Sequence, residues 1–134
     1  FKHKLKLRKG QELHFELGRS IVAQCGSLIA RVVFVKENRN KKFVILDAGM
    51  TDLIRPALYQ AHHVIQNISS RDTASDVYDV VGPICESSDV FACNEKLPIS
   101  KRDDIFAIRS AGAYGETMAS RYNMRQLPKS YFQR

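Results

Sequence analysis

Nowhere does the chain string together the roughly 18 apolar residues that a membrane-spanning helix requires, and no basic, apolar and small-residue succession marks a secretory signal. The cytosol is therefore the expected compartment. Cysteine is scarce as well. Cys25, Cys85 and Cys93 leave one thiol over however they pair, and none stands at zinc-ligand spacing from another cysteine or a histidine pair. That argues against a disulfide framework and a metal site, and for free thiols. With seven glycines, four prolines and 44% hydrophobic residues, the composition excludes fibrous repeats and disorder. No complete set of catalytic parts is present either, although several partial sets are.

At 134 residues the length suits one domain with a real core. The net charge of +7 raises a nucleic-acid partner as an alternative. Much of it is concentrated in Lys2, Lys4, Lys6, Arg8 and Lys9 and around Arg39, Lys41 and Lys42, and such runs are ordinarily solvated faces. The chain begins at Phe1 inside a basic segment and reads as cut from something longer.

The pattern predicts a mainly β domain with one or two short helices. Residues 1–9 suit the end of an exposed helix or an edge strand, broken by Gly10, and the alternation at 13–16 suggests a short strand ending at Glu16. Two β-branched, apolar runs at 27–37 and 43–48 flank the polar Asn-Arg-Asn-Lys-Lys, which predicts a hairpin. Pro56 forbids a long helix through its segment but suits the first turn of a short one near 56–60. Further strands are expected at 63–68, 77–81 and 104–108, separated by polar stretches at 69–76 and 86–104. A helical stretch is expected at 116–122.

Four clusters suggest chemistry. In Glu-Leu-Gly-Arg at 16–19, Gly18 offers an open backbone N–H and Arg19 a guanidinium fork, a pair suited to phosphate or carboxylate; an ordinary strand-to-turn junction has the same letters. Arg55 and Tyr59 stand one helical turn apart and can meet the same anionic group, unless Tyr59 packs in the core. Cys85 adjoins Glu86 after a Gly-Pro turn; like charge disfavours a thiolate, so a thiol in this position suits proton donation, whereas most such cysteines simply pack. Tyr114, between Gly112 and Gly115, has room for a ligand to approach its hydroxyl, or closes over the core as a loop aromatic. His62 and His63 are adjacent, which in a strand would turn them to opposite faces.

Taken in order, LHFELGRSIVAQCG, ILDAGMTDLIRPALYQAHH, DVVGPICESSDVF and AIRSAGAYGETMASRYN closely resemble the C-terminal part of the diaminopimelate decarboxylase family, over about residues 13–128. The resemblance implies a fold-type III pyridoxal-phosphate decarboxylase. In it an alanine-racemase-like barrel carries the Schiff-base lysine, and a C-terminal β-barrel or sandwich domain, here 13–134, completes the site. Residues 1–12 would be a remnant of the first domain or a linker. The implied reaction converts meso-2,6-diaminoheptanedioate to L-lysine and carbon dioxide.

By the same resemblance Glu16, Gly18, Arg19 and Tyr114 serve the cofactor, pyridoxal 5'-phosphate, with Glu16 at its ring nitrogen. Arg19, Arg55 and Tyr59 hold the distal carboxylate of the substrate, Glu86 its distal ammonium, and Tyr114 the phosphate or the substrate. Cys85 returns a proton to the α-carbon. A homodimer is implied in which the cysteine and the glutamate come from the opposite subunit, with no metal, membrane or nucleic acid involved.

Leu17 stands where the family usually has proline, which loosens the backbone before Gly18 without removing a contacting side chain. No segment resembles the family's lysine motif, so this stretch alone is expected to be inactive. Related carboxynorspermidine or basic amino-acid decarboxylases are the neighbouring alternative; those of ornithine and arginine need no clamp for a distal carboxylate, so the Arg-Pro-Ala-Leu-Tyr segment argues for the diaminopimelate branch. A small basic β-barrel binding single-stranded nucleic acid is the alternative of another class. A third is a piece that only associates through the surface it would present to the rest of the enzyme.

Overall fold

A computed structural model describes residues 4–133. Six strands form a single sheet: β1 (Ser27–Glu37), β2 (Lys42–Leu46), β3 (Ile65–Asn67), β4 (Ser75–Val81), β5 (Val90–Pro98) and β6 (Ile105–Arg109). Their order is β3-β6-β1-β2-β4-β5, antiparallel throughout except for the parallel pair β2 and β4. One helix, α1 (Arg55–Tyr59), and four short 3-10 turns complete the described elements.

The long β1 organises the sheet. Its first half, Ser27 to Arg31, pairs with β6, and its second half, Val32 to Glu37, pairs with β2, with a register break between Val32 and Phe34. An irregularity of this kind bends a strand and lets one sheet wrap around a core. At the far end the hairpin is closed by Asn38, whose side-chain oxygen accepts from the backbone N–H of Asn40 (3.0 Å) and Lys41 (2.8 Å).

Wrapping brings the two edges of the sheet together. Asn67, the last residue of β3, donates to Ser100 Oγ (3.1 Å) just beyond β5 and to Asp104 Oδ2 (2.8 Å) before β6. Ser70 Oγ donates to the Ile99 carbonyl (3.3 Å). The result is a nearly closed, barrel-like sheet filled by Ala30, Val32, Val44, Leu46, Ile65, Tyr78, Val80, Phe91, Leu97, Phe106 and Ile108. Each large buried side chain among them contributes about 1.5–3 kcal/mol.

The expected hairpin, the short helix at Pro56 and the strands around 65–67, 75–81 and 105–109 are all present. Four expectations are corrected. Residues 13–16 form no strand, so Glu16 ends none. Residues 4–9 form neither helix nor strand, and 1–3 lie outside the described residues. The stretch 86–104, read as a polar separator, contains β5: Phe91 and Leu97 face the core while Asn94 and Lys96 stay exposed, and Asn94 takes a left-handed φ of 55°. Residues 116–122 form no helix but only the 3-10 turns Glu116–Met118 and, beyond, Tyr122–Met124.

The basic run beyond β1 is partly neutralised. Lys41 meets Asp79 and Lys42 meets Asp76, each at 2.6 Å. The hydrogen bond from Lys42 holds the Asp76 carboxyl below its ordinary value. Burial alone would raise Asp79, but the Lys41 ammonium and the N–H of Asn94 outweigh it, and its carboxyl is also held low. His62 is exposed and His63 buried, the latter hydrogen-bonded through Nδ1 to the Arg109 carbonyl (2.9 Å), although neither lies in a strand.

Candidate active site

Four of the residues singled out above converge. Arg19, Arg55, Tyr59 and Tyr114, joined by Met118, line an open cavity of about 440 Å³. Arg55 and Tyr59 are the first and last residues of α1, and Pro56 starts the helix with its φ already set. Gln60, in the left-handed conformation, stops it by returning its N–H to the Pro56 carbonyl (2.9 Å). One turn of helix therefore puts both side chains on the cavity.

The Arg55 guanidinium lies 5.3 Å from the centroid of the Tyr59 ring and 5.6 Å from that of Tyr114. Two rings about a planar cation hold it in place while leaving its N–H edge available. Both tyrosines are half exposed, so Tyr59 is no core residue.

Tyr114 reaches this position through a close approach of backbones. Gly112 lies so near the 3-10 turn Ala23–Cys25 that a methyl group there would fall 2.2 Å from the Val22 carbonyl and 2.8 Å from the Gly26 N. Gly112 N donates to Ala23 O and Ala111 N to Gly26 O, both at 2.9 Å. A methyl on Gly115 would meet Ala111 O at 2.3 Å. These glycines allow the close packing, and Tyr114 remains half exposed on the cavity. The contact also draws the turn Arg19–Ile21 toward Tyr114. Tyr114 itself has φ 64°, a left-handed conformation costing a non-glycine residue about 1–2 kcal/mol.

Gly18 is open: a methyl there would meet nothing within 4 Å. Glu16 is exposed and does not line the cavity. Cys85 and Glu86 do not line it either. They sit exposed on the loop between β4 and β5, and Cys85 is a free thiol.

That loop is held by a residue the sequence did not single out. Asp89, 4% exposed, accepts from Ile84 N through Oδ2 (2.7 Å) and from Met50 N through Oδ1 (2.6 Å). It thus fastens the Cys85–Glu86 loop to the turn that leads into α1. Burial pushes its carboxyl above the ordinary value, against the pull of the two N–H groups. Gly82 and Gly49 make room for it, since a methyl would come to 2.3 Å and 3.0 Å of its Oδ2. Nothing in the letters Ser-Ser-Asp-Val marks Asp89 as buried; the pairing of β4 with β5 does so.

The C-terminal segment lies across the same turn. Ser120 N donates to the Thr51 carbonyl (2.9 Å), and Arg125 donates to the Asp47 carbonyl and stands 4.0 Å from Asp52. Asp52 accepts from Gly49 N (2.8 Å). Between these anchors the Tyr122 hydroxyl donates to Glu86 Oε1. The described residues contain no cluster able to hold a metal ion and no helix long and apolar enough to cross a membrane.

The described residues thus form a barrel-like sheet domain with an open cavity lined by two arginines and two tyrosines, and a thiol–carboxylate loop apart from that cavity. The model of the C-terminal sheet domain of pyridoxal-dependent decarboxylases matches residues 20–112, and the chain belongs to that family. It is 65% identical over 127 residues to the diaminopimelate decarboxylase of Bacteroides thetaiotaomicron, covering 95% of this chain and 33% of that protein. The chain thus spans about a third of the length of this relative. Diaminopimelate decarboxylase from Helicobacter pylori, complexed with L-lysine, superimposes with a TM-score of 0.76 at 50% identity, over 84% of this chain and 28% of that one. The enzyme from M. jannaschii, also with L-lysine, does so with a TM-score of 0.80 at 43% identity, over 83% and 25%.

Proposed function

We propose that this chain is the C-terminal part of a diaminopimelate decarboxylase, with residues 1–12 at the junction to the barrel domain, acting in the cytoplasm on meso-2,6-diaminoheptanedioate. The observation that carries the reading is Arg55, fixed between the Tyr59 and Tyr114 rings on a cavity that also contains Arg19. Two guanidinium forks suit two anionic groups, the phosphate of a cofactor and the distal carboxylate of a substrate. Ornithine and lysine have no distal carboxylate and need no such clamp.

The residues present fit pyridoxal phosphate at its phosphate end. Space is open beside Gly18, where a methyl would meet nothing within 4 Å, and Arg19 and Tyr114 share one cavity. Glu16, exposed beside them in sequence, would face the ring nitrogen. When bound, the cofactor supplies the sink for the electron pair left on the α-carbon as carbon dioxide departs.

The chain's own residues do the rest. Arg55, with Tyr59, binds the distal carboxylate and so orients the substrate, while Glu86 takes the distal ammonium and rejects a second carboxylate there. The Cys85 S–H gives its proton to the α-carbon, forming the C–H bond that replaces the C–C bond, and the thiolate regains a proton from solvent. Cys85 and Glu86 lie outside the Arg55 cavity of their own chain, which supports a homodimer whose sites are shared, each cavity completed by the partner's loop.

The test uses the full-length enzyme. Carbon dioxide release from diaminopimelate but not from ornithine, with loss of product protonation in Cys85→Ala, is expected; turnover and protonation unchanged in that variant would remove the donor role.

A further inference from the structure

Glu86 has no cationic partner within ion-pair distance among the described residues, yet its side chain is not left to wander. Its backbone N–H is turned back on the Ile84 carbonyl (2.8 Å), and its Oε1 accepts from Tyr122. Tyr122 arrives on a segment pinned on both sides, by Ser120 to Thr51 and by Arg125 to Asp47 and Asp52. Just beyond it, Asn123 and Met124 adopt left-handed φ values of 57° and 58°. Two such residues in succession persist only where the surroundings hold them.

A neutral donor is the right tool for such a carboxylate. An arginine or lysine would orient it but cancel the charge that a substrate ammonium must find; a phenol orients it and leaves the charge intact. The hydrogen bond to Glu86, and the charge of Glu86 itself, raise the Tyr122 phenol above its ordinary value, so it stays a donor across neutral pH.

We infer that Tyr122 is the positioning residue of the ammonium subsite, occupying Oε1 of Glu86 so that Oε2 faces the distal ammonium of the substrate held in the partner's cavity. The inference rests on the diaminopimelate reading. Tyr122 then matters for substrates with a distal ammonium and is silent for those without one. No motif reading singles it out, because its role exists only through the loop between β4 and β5.

The test compares wild-type full-length enzyme with Tyr122→Phe. Loss of a hydrogen bond to a charged group should lower kcat/KM for meso-diaminopimelate about tenfold, carried mainly by KM. The inhibition constant of 2-aminoheptanedioate, the same molecule without the distal amine, should move less than about twofold, because the remaining contacts are untouched. In a Glu86→Gln background the tyrosine change should add less than about a further twofold. Equal losses for both ligands, an undiminished loss in that background, or no loss in Tyr122→Phe would each overturn the inference. Far-UV circular dichroism and the melting temperature of Tyr122→Phe, expected to match wild type, show separately that the variant is folded. A wild-type enzyme unable to decarboxylate diaminopimelate would instead overturn the reading beneath it.

Discussion

Replacing Gly82 by alanine tests how the Cys85–Glu86 loop is held. The added methyl would fall 2.3 Å from Oδ2 and 2.5 Å from Oδ1 of Asp89. A carboxylate can usually swing aside, but this one accepts from Met50 N at 2.6 Å and Ile84 N at 2.7 Å, and moving it breaks both bonds. Hydrogen bonds to charged groups contribute about 1.5–3 kcal/mol each, so the pair is worth about 3–6 kcal/mol. Burial already disfavours the Asp89 charge, and part of that is returned as the carboxylate moves toward water. The net loss should therefore be about 2–3 kcal/mol, or a fall of about 8–12 °C in melting temperature for a domain of this size. Urea and thermal unfolding followed by far-UV circular dichroism measure it. In an Asp89→Ala background the methyl finds space, so Gly82→Ala should then cost under about 1 kcal/mol. The reasoning is refuted if the cost of Gly82→Ala is the same in both backgrounds.

Arg55→Lys keeps the charge but loses the guanidinium that lies over the Tyr59 and Tyr114 rings, and in the full-length enzyme KM for diaminopimelate should rise about 10- to 100-fold; a KM within about twofold of wild type would contradict the clamp. Gly112→Ala forces backbones apart, disrupting the bonds at Ala23 and Gly26, and should cost about 2–4 kcal/mol in urea unfolding. The same change at Gly18, where a methyl meets nothing within 4 Å, should stay within about 0.5 kcal/mol, and equal costs at the two glycines would refute the packing account. The carboxyls of Asp76 and Asp79 are held below 3.8, so the stability they add is complete above that pH and drains away as pH falls through their folded values. In Lys41→Met burial would dominate at Asp79 and push its carboxyl up, so the decline of melting temperature below pH 3.8 should be shallower than in wild type; an unchanged slope argues against the pair.

What could be read from the letters depended on how local the physics was. The 27–37 and 42–46 hairpin declares itself through β-branched runs about an Asx turn, and α1 through Pro56. β5 does not, because its polar Asn94, Glu95 and Lys96 interrupt the apolar pattern and its core contacts come from pairing with β4. The segment 116–122 has helix-forming residues, but anchors at Thr51 and Glu86 hold it in irregular turns. Arg55 and Tyr59 could be paired by spacing alone. Their meeting with Arg19 and Tyr114 could not, since it depends on Gly112 packing against Gly26, which are 86 positions apart. Asp89 and Tyr122 were invisible for the same reason.

The central claim is that the arginine cavity and the thiol–carboxylate loop of one chain serve different active sites of a dimer. Full-length Arg55→Ala and Cys85→Ala enzymes, each expected to be almost inactive, should be unfolded together, refolded as a mixture and assayed for carbon dioxide release from diaminopimelate. Mixed dimers hold one site with both defects and one with neither, so activity should return to about a quarter of the wild-type value. A mixture no more active than its two parents would contradict the claim.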